Sequence, residues 1–414
     1  MAVVRPFQAV RPTAELSTRV AALPYDVMSS EEAREMVKDN PYSFLHVDKA
    51  EIDLDPAIDL YDPLVYATAR ANLEKMQADD VLVKEEQPRL YIYRLIMAGR
   101  SQTGVVGCTA IDDYLHNVIK KHEHTRADKE QDRINHVNTC NANTGPIFLT
   151  YRAVEAINQL VEKWTGTEPL YNFTAEDGVS HIVWIVDSEA DIKLLSAHFA
   201  EVECLYIADG HHRCASAVKV GQSRRQQQPN FTGEEEFNYF LSVIFPDHDL
   251  YIMDYNRVVQ DLNGFDRDDF IRLIAEKFII LPITSTGPYK PTQKQTFGMY
   301  LDEKWYQLTA KEGSFNCNHP VERLDVSILQ NNLLRPILGI NDPRTDKRID
   351  FIGGIRGLGE LEKRVKAGMR VAFSLYPTTI DDLMAIADAG EVMPPKSTWF
   401  EPKLRSGLFV HELS

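Results

Sequence analysis

Two short stretches gather most of the side chains able to do chemistry. In 205-LYIADGHHRCASAVKV-220 an apolar run stops at Asp209-Gly210 and releases His211, His212 and Arg213. The run reads as a buried strand and ASAVKV as a helix, so the polar residues stand at a strand-to-helix turn. The first N–H groups of a helix lack partners within it, and its aligned peptide dipoles favour negative charge there. Gly210 permits the tight turn, Arg213 can fork onto phosphate oxygens, and His211 and His212 can donate hydrogen bonds or move protons near neutrality. The plainer alternative has Asp209 capping the helix and both histidines satisfied in the core. Ligands gather at strand carboxyl ends, which favours a phosphate-binding corner.

The second stretch, 119-IKKHEHTRADKEQDRINHVN-138, holds His122, Glu123, His124, Thr125, Asp132, Arg133 and His136. On a strand, His122 and His124 share one face and Glu123 takes the other, so the three serve one site only if the segment is irregular. If DKEQDRINHVNT is a helix, Asp132 and His136 project together with Arg133 beside them. A solvated charged run is the bland alternative. Zinc is the chemical rival, but HExxH and CxxC spacings are missing and no metal site is assigned. Mg²⁺ arriving with nucleotide phosphates suits one or two carboxylates better. Near the carboxyl end, 392-VMPPKSTWFEPKLRSGLFVH-411 collects Lys396, Ser397, Thr398, Lys403, Arg405 and Ser406 in a proline-rich loop that either wraps an anion or is a basic surface loop. Pro24-Tyr25-Asp26-Val27 reads first as a turn with a buried tyrosine, and second as a presenter of Tyr25 and Asp26 to a pocket.

The elements that must position these groups are short and mixed. Helices are expected over 29–39, 61–78 and 152–165, a hairpin from 90–97 and 103–111, and strands at 181–187, 204–209 and 238–246 around a helix at EADIKLLSAHFAEV. The segment 222–230 reads as a polar loop. The strand-helix-strand order predicts an α/β (mixed α+β) fold, with a soft boundary near 258 and two α/β units, 1–258 and 259–414, packed together.

Composition removes several classes of function. The 414 residues carry 45 basic and 61 acidic side chains, a net charge of -16, which disfavours general nucleic-acid or anionic-membrane binding. Five cysteines without a CxxC pair read as reduced thiols, and no apolar run is long enough to cross a membrane, so a cytoplasmic protein is expected. Walker A, GxGxxG, kinase and GxSxG fingerprints are missing too.

Taken in order, PYDV (24–27), NPYSFLHV (40–47), KKHEHT (120–125), DR (132–133), NANTGPIFLTY (141–151), DGHHR (209–213) and MPPKSTWFEPK (393–403) resemble the bacterial and archaeal family termed domain of unknown function 1015. DGHHR is also similar to the phosphate corner shared by ParB-type partition proteins, sulfiredoxins and free-serine kinases. That resemblance implies a ParB/sulfiredoxin-like nucleotide-binding core, with Gly210, His212 and Arg213 meeting phosphates. The larger family's proline-threonine-histidine-arginine tract is replaced here by Asp254-Tyr255-Asn256-Arg257, so no role passes to Asn256. The resulting expectation is a phosphotransferase using ATP or ADP with Mg²⁺ on a small hydroxylated metabolite such as serine. Gly210, His211, His212, Arg213, Lys396, Ser397, Thr398 and Lys403 would hold phosphates, and Glu123, Asp209 and His212 would be the catalytic groups. A metal-dependent hydrolase built on the histidines and a nucleotide sensor without turnover are the rivals. Self-association into a homo-oligomer is left open.

Overall fold

The structure, a computed structural model, describes residues 1–285 and 287–414. The chain forms two compact units, Met1–Leu250 with Pro402–Ser414, and Tyr251–Glu401. The passage expected near 258 thus lies at 250/251. Tyr255–Val259 is a strand paired on both sides, with Ile349–Gly353 and Val371–Leu375, so the chain cannot leave the second sheet there.

The first unit is built on a nine-stranded mixed sheet. Its order is Ile119–Lys120, Leu205–Asp209, Ile147–Tyr151, Tyr239–Pro246, Arg100–Ala110, Leu90–Met97, Ser180–Val186 and Tyr171–Thr174, with Val4–Arg5 added to Arg100–Ala110. The expected hairpin is present: Met97 pairs with Arg100 across Ala98-Gly99, both of which take positive φ. That left-handed pair matches the twist of the strands, and glycine adopts it without steric cost. Along Leu90–Met97 the side chains alternate, Leu90 and Ile92 joining one core cluster while Tyr91 and Tyr93 stack near Phe409 on the other side. Both faces are therefore covered, which is why LYIYRLIM reads as a nearly continuous apolar run.

Helices Glu155–Thr165 and Glu189–Glu201 contribute Ile157, Ile192, Leu195 and Phe199 to that first cluster. A second cluster forms around Pro63–Ala78, started by the Asp62 side chain accepting from Leu64 N–H. The helix expected over 152–165 starts later, at Glu155, after the strand Ile147–Tyr151. The polar loop expected at 222–230 is largely helical, because Arg225 locks the end of His211–Gln227 by a fork onto Asp112 and a bond to Asn238.

Two pairings position the chemistry. Ile119–Lys120 runs parallel to Leu205–Asp209, with Lys120 opposite Tyr206, so residues 122–123 and 210–211 emerge at the same end. Ile147–Tyr151 runs antiparallel to Leu205–Asp209, which sets its start, Gly145-Pro146, beside the same strand end. The tail then returns: Val410 bridges Val10, Ser406 bridges Ala22, and His411–Glu412 pairs with Ala142–Asn143.

The second unit has a six-stranded antiparallel sheet, ordered Phe278–Pro282, Lys304–Ala310, Thr296–Leu301, Val371–Leu375, Tyr255–Val259 and Ile349–Gly353. Its two chain ends are pinned together by pairing of Ile252–Met253 with Trp399–Phe400. Among the described residues no helix is long and apolar enough to cross a membrane.

Candidate functional site

The strand Leu205–Asp209 passes through Gly210 into the helix His211–Gln227, as the sequence predicts. Gly210 sits at φ +90°, and a Cβ there would lie 3.2 Å from Arg213 Nε. Glycine is thus required both by the left-handed backbone and by the guanidinium folded over it. No side chain caps this helix. Asp209 does not serve as cap: its Oδ1 accepts from Gly210 N–H at 2.8 Å, and its Oδ2 takes a 2.8 Å bond from Lys403 Nζ. Burial alone would raise its pKa. Lys403, Arg213 and the Gly210 N–H outweigh burial and hold the carboxyl well below its usual range.

This geometry revises several expected roles. Asp209, already neutralised by Lys403, makes a weak proton acceptor, so its role as base is withdrawn on physical grounds. The Gly210 N–H is spent on Asp209 and leaves the glycine to shape the turn. His211 turns inward, 6% exposed, with its ring edge-on to His122 at 4.5 Å between centroids. His212 is half-buried and its Nε2 accepts from Arg126 N–H at 3.0 Å, so the neutral ring carries its proton on Nδ1. Burial pulls its pKa down against the opposing fields of Asp26 and Glu130.

Arg213 donates through Nη1 to Pro146 O at 2.8 Å and forms no ion pair among the described residues. It lines a small pocket with Tyr25, Asp48, Arg133, His136 and Thr144. The enclosed part, about 20 Å³, admits a water or the tip of an oxyanion. Arg133 bonds Asp132 at 3.0 Å and stacks 4.0 Å from the centre of the Tyr25 ring. Burial pulls the Arg133 pKa down, but Tyr25, Asp132 and Asp48 outweigh it and the net shift is upward. Burial also raises the Tyr25 hydroxyl above its ordinary value. Tyr25 stands in a turn closed by Val27 N–H to Pro24 O, so the turn reading and the pocket reading both describe it. Asp26 is exposed beside it.

DKEQDRINHVNT lies in the helix Ala127–Cys140, which sets Asp132 and His136 on one buried face and so excludes the solvated charged run. Asp132 accepts from Tyr66 Oη and Arg133, while His136 Nε2–H donates to Val47 O. The segment 121–126 before it is irregular. His122 and Glu123 therefore converge with His211 instead of facing apart, and His124 is exposed. Thr125 hydroxyl donates to Glu130, which also pairs with Lys219. The five histidines of the hydrolase alternative do not form one cluster: His136 belongs to the arginine pocket and His212 to Arg126.

The carboxyl-terminal loop is divided between the units. Lys403 belongs to the first, whereas Lys396, Ser397 and Thr398 lie in the second. There Ser397 donates to Pro394 O and its own carbonyl accepts from Thr378, so its polar groups close the turn. Arg405 is buried, paired with Asp177 and bonded to His181 Nε2. Sequence reading overlooked Asp48, which accepts from Thr144 at 2.7 Å, and Asn143. The available signal was their place at the ends of NPYSFLHV and within NANTGP, polar groups flanking apolar runs.

Fold and site together define a two-unit α/β protein with a basic corner at an uncapped helix start. Residues 4–327 match the family model described as "Protein of unknown function (DUF1015)", and the chain belongs to that family. No curated protein matches the chain. Among solved structures, a free serine kinase mutant in complex with AMP is 15% identical, with a TM-score of 0.35 over 74% of this chain and 92% of that one. SbnI with a C-terminal truncation, from Staphylococcus aureus, is 11% identical, with a TM-score of 0.38 over 74% and 87%. A conserved hypothetical protein from Pyrococcus furiosus is 16% identical, with a TM-score of 0.34 over 74% and 95%. Likenesses this distant carry no argument about function.

Proposed function

We infer that the first unit binds the phosphates of a nucleotide at the start of the helix His211–Gln227 and transfers one to a small hydroxylated acceptor, serine being the first to test. The observation that carries this reading is the Arg213 guanidinium, held over an uncapped helix start and in no ion pair among the described residues. A cation placed at the positive end of a helix dipole raises the energy of the empty site and lowers it when an oxyanion arrives. Arg133 and the Nδ1–H of His212 supply further donors, and Glu123, half-buried beside His211, is the remaining candidate base. Mg²⁺ takes oxygen ligands, and Asp26, exposed beside Tyr25 and without a hydrogen bond or ion pair among the described residues, fits that need. Bound there with nucleotide, Mg²⁺ would neutralise phosphate charge. The ParB/sulfiredoxin-like reading of the core and a cytoplasmic setting belong to this same proposal.

Calorimetry with ATP, ADP and inorganic phosphate tests it first, followed by turnover with a pool of hydroxylated metabolites. Arg213→Ala is expected to weaken phosphate binding by about 1.5–3 kcal/mol, roughly 10- to 100-fold, without unfolding the protein. Absence of nucleotide binding at millimolar concentration ends the proposal. Binding without turnover is the second reading, and the neutralisation of Asp209 by Lys403, which removes one of two candidate bases, favours it.

A further inference from the structure

His122, Glu123 and His211 stand apart from the arginine pocket, and the phosphate reading gives no account of the two buried imidazoles. Each offers one ligand atom, and those atoms lie within 4.8 Å of one another. His122 is 1% exposed and His211 6% exposed. Among the described residues, neither ring nitrogen of His122, nor Nε2 of His211, has a hydrogen-bond partner. The Ile207 backbone lies near His122 but does not reach its ring nitrogens in hydrogen-bond geometry. Three buried polar atoms without partners among the described residues, in two touching rings, are unusual, since an unsatisfied buried polar group is costly until something satisfies it.

We propose that His122, Glu123 and His211 hold a divalent transition-metal ion of the zinc class. The ligand chemistry fits: two imidazoles and a carboxylate are a zinc set, and three protein ligands leave a fourth position for water or a ligand oxygen. Tetrahedral zinc at about 2.0–2.1 Å from each ligand sets them about 3.4 Å apart, so side-chain rotations of about an ångström complete the shell. Neutral imidazole is the ligating form, and both rings are buried at the strand end. The parallel pairing of Ile119–Lys120 with Leu205–Asp209 is what brings ligands 88 residues apart to one strand end. The inference stands independently of nucleotide binding, because Arg213 and Arg133 take no part in the set, but a metal-bound Glu123 would no longer serve as the base of the phosphate reading.

The test uses the full chain stripped with chelator and titrated with Zn²⁺ or Co²⁺ in the absence of nucleotide. One ion per chain is expected, with a Co²⁺ absorption band of a low-coordinate nitrogen and oxygen site and a higher Tm. Glu123→Gln should weaken binding by about 10- to 100-fold and His122→Ala or His211→Ala by at least as much. His124→Ala, on an exposed neighbour, and Arg213→Ala should leave it unchanged. Should the histidine variants fail to fold, ring-nitrogen chemical shifts in the intact protein decide, since metal binding must move two histidines and no others. No saturable binding at millimolar metal, or shifts confined to exposed histidines, overturns the proposal. Zn²⁺ binding retained in Arg213→Ala, while that variant loses nucleotide affinity, separates this proposal from the phosphate reading.

Discussion

At the scale of single residues, buried charges are balanced in some places and left unbalanced in others. Lys403 and Asp209 are a balanced pair across 194 residues of sequence. Lys403→Met leaves Asp209 ionised in a partly buried setting, and urea unfolding is expected to register a loss of about 1–3 kcal/mol. The second unit holds an unbalanced case. Asp325 is buried with Oδ2 unpartnered among the described residues, and burial raises its pKa to about 7 against the Gln295 N–H and Lys294, with Asp382 adding to the rise. A carboxyl raised this way contributes stability that is full below its unfolded value of about 4 and is lost as pH climbs through about 7. Asp325→Asn should therefore match the wild type in urea unfolding at pH 4 and exceed it at pH 8, by about 2–4 kcal/mol. Equal stabilities at pH 8 would show that the carboxyl ionises there without penalty.

At the scale of elements, two glycines carry the geometry. Gly210 holds the strand-to-helix turn, and Gly210→Ala sets a Cβ against the Arg213 guanidinium in a left-handed backbone. A loss of about 1–2 kcal/mol in thermal unfolding is expected from the backbone alone, together with weakened phosphate binding as Arg213 is displaced. Gly407, at φ +84°, would place a Cβ 2.5 Å from the Phe44 ring, which is backed by the second core cluster and cannot yield. Gly407→Ala should cost more than Gly210→Ala, and the reverse order would mean that the tail is loosely held. Much at this scale was readable beforehand. The hairpin, the helix Ala127–Cys140 and the turn at Asp209-Gly210 follow from local periodicity and local turn chemistry. The ends of elements were less so: the helix expected from 152 begins at Glu155, and 222–227 is helical because Arg225 found Asp112, a partner 113 residues away.

At the scale of the whole molecule, the second unit interrupts the first. Pro402–Ser414 completes the first unit through Val410 against Val10, Ser406 against Ala22 and Lys403 onto Asp209. Residues 1–250 alone should therefore be markedly less stable than the same segment joined by a flexible linker to 402–414, as read by urea unfolding and protease resistance. Residues 251–401, whose ends pair as Ile252–Met253 with Trp399–Phe400, should fold as a separate fragment. Equal stability of the two versions of the first unit would show that the tail is an accessory.

The sequence by itself determined the mixed α/β class, the strand-to-helix turn at Asp209-Gly210 and the polar side chains gathered beside it, because these depend on patterns a few residues long. Tertiary structure alone decided how they are used. Strand pairing chose that His122 meets His211, that Lys403 silences Asp209 and that Asp48 and Thr144 face Arg213's pocket. Such partnerships join residues far apart in the chain, and their energy comes from burial and charge balance that no local pattern records.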